Sequence, residues 1–450
     1  MGRLFGTDGV RGIAGQDMTC ELAMDLGRAA ATVLTYGRRR RPLVVLGKDT
    51  RISSDMLGAA LAAGLCSVGA DVIDLGVVPT PAVAYLVMKY KADAGVMISA
   101  SHNPYPFNGI KIFGGEGFKL PDELEDQIER LIGQGRWRLA TGDALGQITH
   151  CATAVRDYVE HLKSTIPTSL DGLRIAVDCA NGSASATAPA LFAELGADAV
   201  IFSAAPDGVN INENCGSTHL KALQDYVRAH GEVQAGVAFD GDADRCLFVD
   251  ANGSVVDGDF IMAVCGLDML QRGKLRRATI VGTVLTNLGF AKFCEAHGIR
   301  FAATKVGDRY VLEEMELEGY TLGGEQSGHV IFRDFATTGD GQLTALQFLQ
   351  ILSRSGKKAS ELASICPSYP QVLVNVKLEN RQGLKEAVMA SPELADAIRQ
   401  EEEALGGDGR VLVRASGTEP LIRVMVEAKT QEHASECANR LASFVQTVKI

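Results

Sequence analysis

The sequence predicts an α/β protein built from three similar mixed-sheet units around a central cleft, followed by a smaller C-terminal α+β domain. Three observations lead there. An apolar strand, a polar or Gly-containing turn, an amphipathic helix and a Gly-led strand recur three times. After each recurrence comes a further strand whose end carries unusual polar residues. Beyond Pro370 the repeat breaks into alternating strands with two helical stretches.

The first unit runs from Pro42-Leu-Val-Val-Leu-Gly through Ser54 to Gly69-Ala-Asp-Val-Ile-Asp-Leu, and Ala94-Gly-Val-Met-Ile then leads to Ser99-Ala-Ser-His. The second runs from Leu173-Arg-Ile-Ala-Val-Asp to Gly196-Ala-Asp-Ala-Val-Ile-Phe, after which Ala235-Gly-Val-Ala-Phe leads to an acidic cluster at Asp240. The third runs from Ala278-Thr-Ile-Val-Gly-Thr to Gly298-Ile-Arg-Phe-Ala-Ala, and Tyr320-Thr-Leu-Gly leads to Gly324-Glu-Gln-Ser-Gly-His329. Ligands of open α/β sheets gather at the carboxyl ends of strands, so three units aimed at one cleft would set these loops round a single substrate. The tail, with Gln371-Val-Leu-Val-Asn-Val-Lys, Arg410-Val-Leu-Val-Arg and Ile422-Arg-Val-Met-Val-Glu, reads as a small sheet carrying helices Leu384 to Leu405 and Glu432 to Val445. Breaks at Gly133 to Gly146, after Asp250-Ala-Asn-Gly253, and at Cys366-Pro-Ser-Tyr-Pro370 set domains of 1–150, 151–252, 253–367 and 368–450.

Composition narrows the function classes. The formal net charge is −11, which disfavours long-range attraction to nucleic acid or an anionic membrane. The start Met1-Gly-Arg-Leu-Phe-Gly-Thr-Asp8 lacks a secretory apolar region, and Gly6 stands where a myristoylation motif needs Ser or Thr. No apolar run approaches the roughly 20 residues of a membrane span. The 10 cysteines are scattered without a Cys-x-x-Cys pair, which reads as reduced thiols in a cytoplasmic protein. His161, His230 and His297 lack metal-ligand spacing and read as structural.

Four groups of residues carry chemistry. Ser101, in Met97-Ile-Ser-Ala-Ser-His-Asn-Pro104, offers a hydroxyl on a loop stiffened by Pro104, whereas Ser99 reads equally as a turn residue or helix cap. Asp240, Asp242 and Asp244 of Phe239-Asp-Gly-Asp-Ala-Asp-Arg245 put three like charges into five residues, which is either a solvated turn or an oxygen cage for a divalent cation. Arg245 and Ala251 replace the Gly and Glu that a calcium hand requires, so magnesium with one further ligand is the better reading. A seryl oxygen or seryl phosphate would complete such a cage and points to phosphoryl transfer through a phosphoserine. Arg414-Ala-Ser-Gly-Thr-Glu-Pro-Leu-Ile-Arg423 combines guanidiniums, hydroxyls and a Gly turn, apt for a phosphate or else a plain polar hairpin. Gly324-Glu-Gln-Ser-Gly-His329 suits sugar hydroxyls, with a flexible turn as the alternative; Phe5-Gly-Thr-Asp-Gly-Val-Arg-Gly12 and Gly47-Lys-Asp-Thr-Arg51 set cations beside glycines, or lie on the surface.

In chain order, Phe5 to Gly12, Ser99 to Pro104, Asn108-Gly-Ile-Lys111, Asp240 to Arg245, Val306-Gly-Asp-Arg-Tyr-Val, Gly324 to His329 and Arg414 to Pro420 resemble the α-D-phosphohexomutase superfamily across essentially the whole chain. Gln326, where hexose-phosphate relatives more often carry Met, is similar to the branch acting on glucosamine phosphates. The resemblance implies four domains round a cleft and an isomerase that interconverts glucosamine 6-phosphate and glucosamine 1-phosphate for UDP-N-acetylglucosamine synthesis. A hexosamine 1,6-bisphosphate would be its intermediate and activator. It implies that Ser101 is phosphorylated and joins Asp240, Asp242 and Asp244 in holding one Mg2+ per chain. Glu325 and Ser327 would bind sugar hydroxyls; Arg414, Ser416, Gly417, Thr418 and Arg423 would grip the non-reacting phosphate; Arg11, Lys111, Arg245 and His329 would act at the reacting groups. The implied partner is a phosphosugar, with no nucleic acid or membrane, for a monomer or homodimer. Rivals are a mutase for glucose or mannose phosphates and a non-catalytic phosphosugar-binding relative.

Overall fold

The computed structural model describes residues 4–6, 8–35, 40–379, 381, 383–416 and 420–447. The chain divides into two compact units, Met1–Leu285 with Ile299–Ile365, and Thr286–Gly298 with Cys366–Ile450.

Three sheets of the first unit share one plan. In the first, Leu43–Lys48 lies parallel between Asp71–Val77 and Ala94–Ile98, and Ala94–Ile98 pairs antiparallel with the returning strand Phe107–Gly114. In the second, Arg174–Asp178 lies parallel between Asp198–Phe202 and Ala235–Phe239, which pairs antiparallel with Cys246–Asp250. The third repeats this with Thr279–Thr283 between Arg300–Thr304 and Leu322–Gly324, and Val330–Phe332 as the return. Val10–Ile13 and Ile148–His150 extend the edges of the first sheet, and Val255–Val256 one edge of the second. The Ser101 loop, the Asp240 loop and the Glu325 loop are therefore topologically equivalent: each turns the outer parallel strand into its antiparallel partner.

The strands that deliver the loops are apolar along their length because both faces are covered. Every residue of Ala94–Ile98, Ala235–Phe239 and Leu322–Gly324 is buried. Helix Gly341–Ser355 is buried from Gly341 to Leu352 and packs against strands of the second and third sheets and against helices Ala154–Ser164 and Gly258–Gln271. Asp340 starts this helix, its Oδ1 accepting from Leu343 N at 2.9 Å while Oδ2 accepts from Tyr158 Oη at 2.8 Å. Such capping satisfies an otherwise unpaired amide of the first turn.

In the second unit Leu421–Ala428 lies antiparallel between Gln371–Lys377 and Gly409–Ala415. The expected single helix from Leu384 to Leu405 is two helices, Leu384–Met389 and Pro392–Leu405. Pro392 has no amide hydrogen and disfavours a helical conformation at Ser391, which instead caps the second helix by accepting from Leu394 N at 3.1 Å. The last helix, Gln431–Thr447, covers the expected stretch. Helix Leu288–Ala296, which links two strands of the third sheet, belongs to this second unit. Its start is held by Glu427, fully buried, whose Oε2 accepts from Leu288 N at 3.0 Å and pairs with Arg410 at 2.8 Å. Asn287 closes the same corner against the backbone N and O of Tyr369.

All ten cysteines are free. Among the described residues, no helix is long and apolar enough to cross a membrane.

Removing one member of a buried, hydrogen-bonded ion pair typically costs about 3 kcal/mol. Glu427→Ala is therefore expected to speed amide hydrogen exchange at the start of helix Leu288–Ala296 by roughly 100-fold. Unchanged protection there would show that Glu427 does not anchor the helix.

Candidate active site

The Ser101 loop rests on a buried ion pair. Asp49 and Arg51 have wholly inaccessible side chains joined at 2.8 Å, so the surface reading of Gly47 to Arg51 does not hold. Asp49 Oδ2 also accepts from Ser99 Oγ at 2.6 Å, and Ser99 Oγ accepts from Ser101 N at 3.0 Å. Ser99 is thus a relay rather than a helix cap. The Arg51 guanidinium donates to the carbonyls of Ser101, Asn103 and Pro104 at 2.9, 2.8 and 2.8 Å, and Asn212 Nδ2 reaches the first two at 2.9 and 3.0 Å. This grip holds Ser101 at φ +51°, a left-handed conformation that costs a non-Gly residue about 1–3 kcal/mol.

From there Ser101 Oγ donates to Asp240 Oδ2 at 2.6 Å. Asp240, Asp242 and Asp244 are buried, with ligand oxygens all within 4.8 Å of one another. Asp242 Oδ2 accepts from Thr80 Oγ1 at 2.5 Å and from Lys111 Nζ at 2.7 Å. Oδ1 of Asp242 and Oδ1 of Asp244 are buried and have no hydrogen-bond partner among the described residues. Buried carboxylate oxygens without a donor are costly, and hard oxygen donors so grouped fit a divalent cation of the magnesium or calcium class. Burial, reinforced by Asp244 and Asp242, pushes the Asp240 carboxyl up to about 8. Burial pushes Asp244 the same way, but Lys111, His329 and Arg245 outweigh it and hold Asp244 well below the carboxylate range. Between the acids, Gly241 lets the two loops touch: a Cβ there would lie 2.6 Å from Ser101 O.

Lys111, 1% exposed, is the cation nearest the acids, at 2.7 Å from Asp242, 2.8 Å from Asp8 and 3.6 Å from Asp244. Burial pulls its pKa down, yet these carboxylates raise it above the ordinary lysine value. Asp8 also pairs with Arg11 and with Lys119, and Lys119 pairs with Asp308. His329 stands between Asp244, 3.6 Å from Nδ1, and Asp308, 3.5 Å from Nε2; Nε2 accepts from Gly339 N at 3.1 Å. An Nε2 that accepts leaves the proton of the neutral ring on Nδ1, facing Asp244. Arg245 reaches His102 Nδ1 at 3.3 Å and Asp244 at 4.0 Å. Burial, then Arg245 and Arg11, bring His102 down to about 4 and keep it neutral near pH 7.

The third loop is pinned by backbone bonds from Cys246 N to Gly328 O and from Gly258 N to Gln326 O, each 3.0 Å. Glu325 Oε1 accepts from Gly307 N at 3.1 Å, and Ser327 Oγ is buried without a partner among the described residues. In the second unit Arg414 and Arg423 face each other in register across antiparallel strands. Burial and then Arg423 depress the Arg414 pKa. Ser416 is buried, and its carbonyl accepts from Lys385 Nζ at 2.6 Å. Gly417 and Thr418 lie outside the described residues.

Ser101, Asp240, Asp242, Asp244, Lys111, Arg11, Arg245 and His329 thus join one polar network of the first unit, with Glu325 and Ser327 on the loop that carries His329. Sequence reasoning missed the parts played by Asp49, Arg51, Asn212, Thr80, Lys119 and the pair Asp8 and Asp308. Asp8, Asp49, Arg51 and Asp308 stood inside motifs already singled out; Asn212, Thr80 and Lys119 gave no signal of their own. His230 and His297 each hold a backbone carbonyl four residues back at 2.9 Å, and His161 stacks on Tyr85 at 3.9 Å, so all three are structural.

Four models of phosphoglucomutase/phosphomannomutase domains match the chain in order: alpha/beta/alpha domain I at residues 2–138, domain II at 156–253, domain III at 257–369 and the C-terminal domain at 373–444. Phosphoglucosamine mutase of Caldanaerobacter subterraneus subsp. tengcongensis is 55% identical over 447 residues, 99% of each chain. Among solved structures, a phosphoglucomutase/phosphomannomutase family protein from Burkholderia thailandensis superposes with a TM-score of 0.84 at 25% identity, covering 100% of this chain and 98% of that one. N-acetylphosphoglucosamine mutase of Aspergillus fumigatus, solved in complex with GlcNAc-6P and magnesium, shares the fold with a TM-score of 0.72 at 18% identity, covering 98% and 95%.

If the three aspartates hold a divalent cation, Asp240→Asn, Asp242→Asn and Asp244→Asn should each weaken Mg2+ binding at least about tenfold by calorimetric titration. Affinity unchanged in all three would remove the metal from this site.

Proposed function

Because the chain belongs to the phosphoglucomutase/phosphomannomutase family, we infer that it is an isomerase interconverting glucosamine 6-phosphate and glucosamine 1-phosphate. The observation that carries the chemistry is the Ser101 hydroxyl, fixed on a left-handed turn and bonded at 2.6 Å to an acid of a buried triad. The full-length likeness to a phosphoglucosamine mutase supports the choice of amino sugar.

In this reading Ser101 carries a phosphoryl group in the working enzyme. The Oγ–P bond breaks as the free sugar hydroxyl bonds to phosphorus; the proton of that hydroxyl passes to a base, and the departing seryl oxygen takes one from an acid. The resulting 1,6-bisphosphate turns and returns its other phosphate to Ser101, so the enzyme ends each cycle recharged. Asp240, Asp242 and Asp244, with the seryl phosphate, would hold one Mg2+, which when bound supplies charge neutralisation for the phosphoryl oxygens. The unpartnered oxygens of Asp242 and Asp244 support that ligand set. Lys111, held charged by its carboxylates, together with Arg11 and Arg245, is assigned to the same developing charge. His329 is assigned to move the proton. Glu325 and Ser327 would take sugar hydroxyls. Arg414, Ser416, Gly417, Thr418 and Arg423 would take the non-reacting phosphate, a reading supported by the cross-strand arginine pair. Domain limits of 1–150, 151–252, 253–367 and 368–450, a cytoplasmic location and a monomeric or homodimeric state complete the proposal.

Ser101→Ala is expected to abolish turnover of glucosamine phosphates with the circular dichroism spectrum unchanged, and intact mass should show phosphate on the parent protein but not on the variant. Full activity of that variant supplied with bisphosphate would sink the mechanism. Arg423→Ala should raise KM by roughly tenfold or more with a smaller change in kcat. Turnover of glucosamine 1-phosphate should exceed that of glucose and mannose 1-phosphates, and the reverse order would reassign the substrate.

A further inference from the structure

Four charged groups of the first unit form a chain of alternating sign, from Lys111 to Asp8, Lys119 and Asp308. Lys111 is assigned to the chemistry. Asp8 touches Lys111 and Arg11 directly. Lys119 and Asp308 form the far end, with side chains 11% and 16% exposed, and the reaction as described makes no use of them.

We propose that Lys119 and Asp308 are positioning residues: Asp308 holds Lys119, and Lys119 holds Asp8 against Lys111. This rests on the reading of Lys111 as a group of the mutase reaction. Lys119 is the cation shared by Asp8 and Asp308, and without it those two carboxylates would face each other across a poorly solvated space and turn apart. Asp8 would then leave Lys111 with Asp242 at 2.7 Å and the more distant Asp244. The chain of pairs also joins segments distant in sequence, since Asp8 and Lys119 flank the first sheet whereas Asp308 begins helix Asp308–Glu318. Misplacement of reacting groups by about 1 Å is enough to cost on the order of 100-fold in rate.

The test uses the full chain with magnesium and the bisphosphate activator. Lys119→Met and the isosteric Asp308→Asn should each lower kcat by roughly 10- to 100-fold with KM within about threefold and the melting temperature little changed. Lys119→Arg, which keeps the charge, should recover kcat to within about threefold of the parent. In a Lys111→Ala background, Asp308→Asn should add no further loss, because its effect runs through Lys119 and Asp8 to that lysine. Parent-like kcat in both Lys119→Met and Asp308→Asn, alongside a large loss in Lys111→Ala, would overturn the positioning role and leave the mutase reading standing. A lowered melting temperature with kcat and KM both impaired and no rescue by Lys119→Arg would overturn it in favour of a merely structural role. An undiminished rate in Lys111→Ala would overturn both readings. Should Lys119→Met fail to fold, Asp308→Asn and the Lys111 background carry the same decision.

Discussion

Three carboxylates buried within 4.8 Å of one another repel, and much of the first unit answers that repulsion. At an effective dielectric near 20, a pair of like charges 4 Å apart costs about 4 kcal/mol. Arg245 of the same loop gives part of the answer, 4.0 Å from Asp244. The rest comes from Lys111 on the return strand of the first sheet, from Thr80 at the start of helix Thr80–Lys89, and from His329 beyond the third sheet. Meeting the charge therefore obliges loops of three sheets to converge.

Convergence alone would not make a reactive site, because a serine on a mobile loop spends little time in the right place. The Asp49–Arg51 pair supplies the stiffness. Its charges are neutralised internally, its remaining donors are spent on loop carbonyls, and the hydroxyl is presented without any further ordering when substrate arrives. Preorganised polar groups of this kind reduce the reorganisation that a reaction would otherwise require. The left-handed backbone at Ser101 is tolerated because Arg51 and Asn212 over-determine it.

The repeated sheets were legible in the sequence because their strands are short apolar runs led by Gly, a pattern that survives without knowledge of pairing. Ser101 and the three aspartates were legible because their residue types are expensive where they stand: an acid cluster at the end of a buried strand needs a reason. The helix over 384–405 was misread because its apolar spacing runs through Ser391-Pro392, where backbone chemistry overrides periodicity. Lys119 and Asn212 were invisible for a different cause. Their importance lies in what they touch over separations of 189 and 111 residues, and local pattern carries no trace of that. Arg51 shows the intermediate case, where a cation beside a glycine could be noticed yet burial alone separates a strut from a surface charge.

The facing arginines of the second unit carry one more consequence. Arg414 and Arg423 sit opposite each other on paired strands, and burial and then Arg423 depress the Arg414 pKa. In the proposed reading a phosphate held there would, by mass action, add about 2.7 kcal/mol to the fold that binds it at one hundred times its dissociation constant. Occupancy would then be felt as mechanical tightening of the strands themselves. The small sheet would then register whether a phosphate is held, stiffer with it than without.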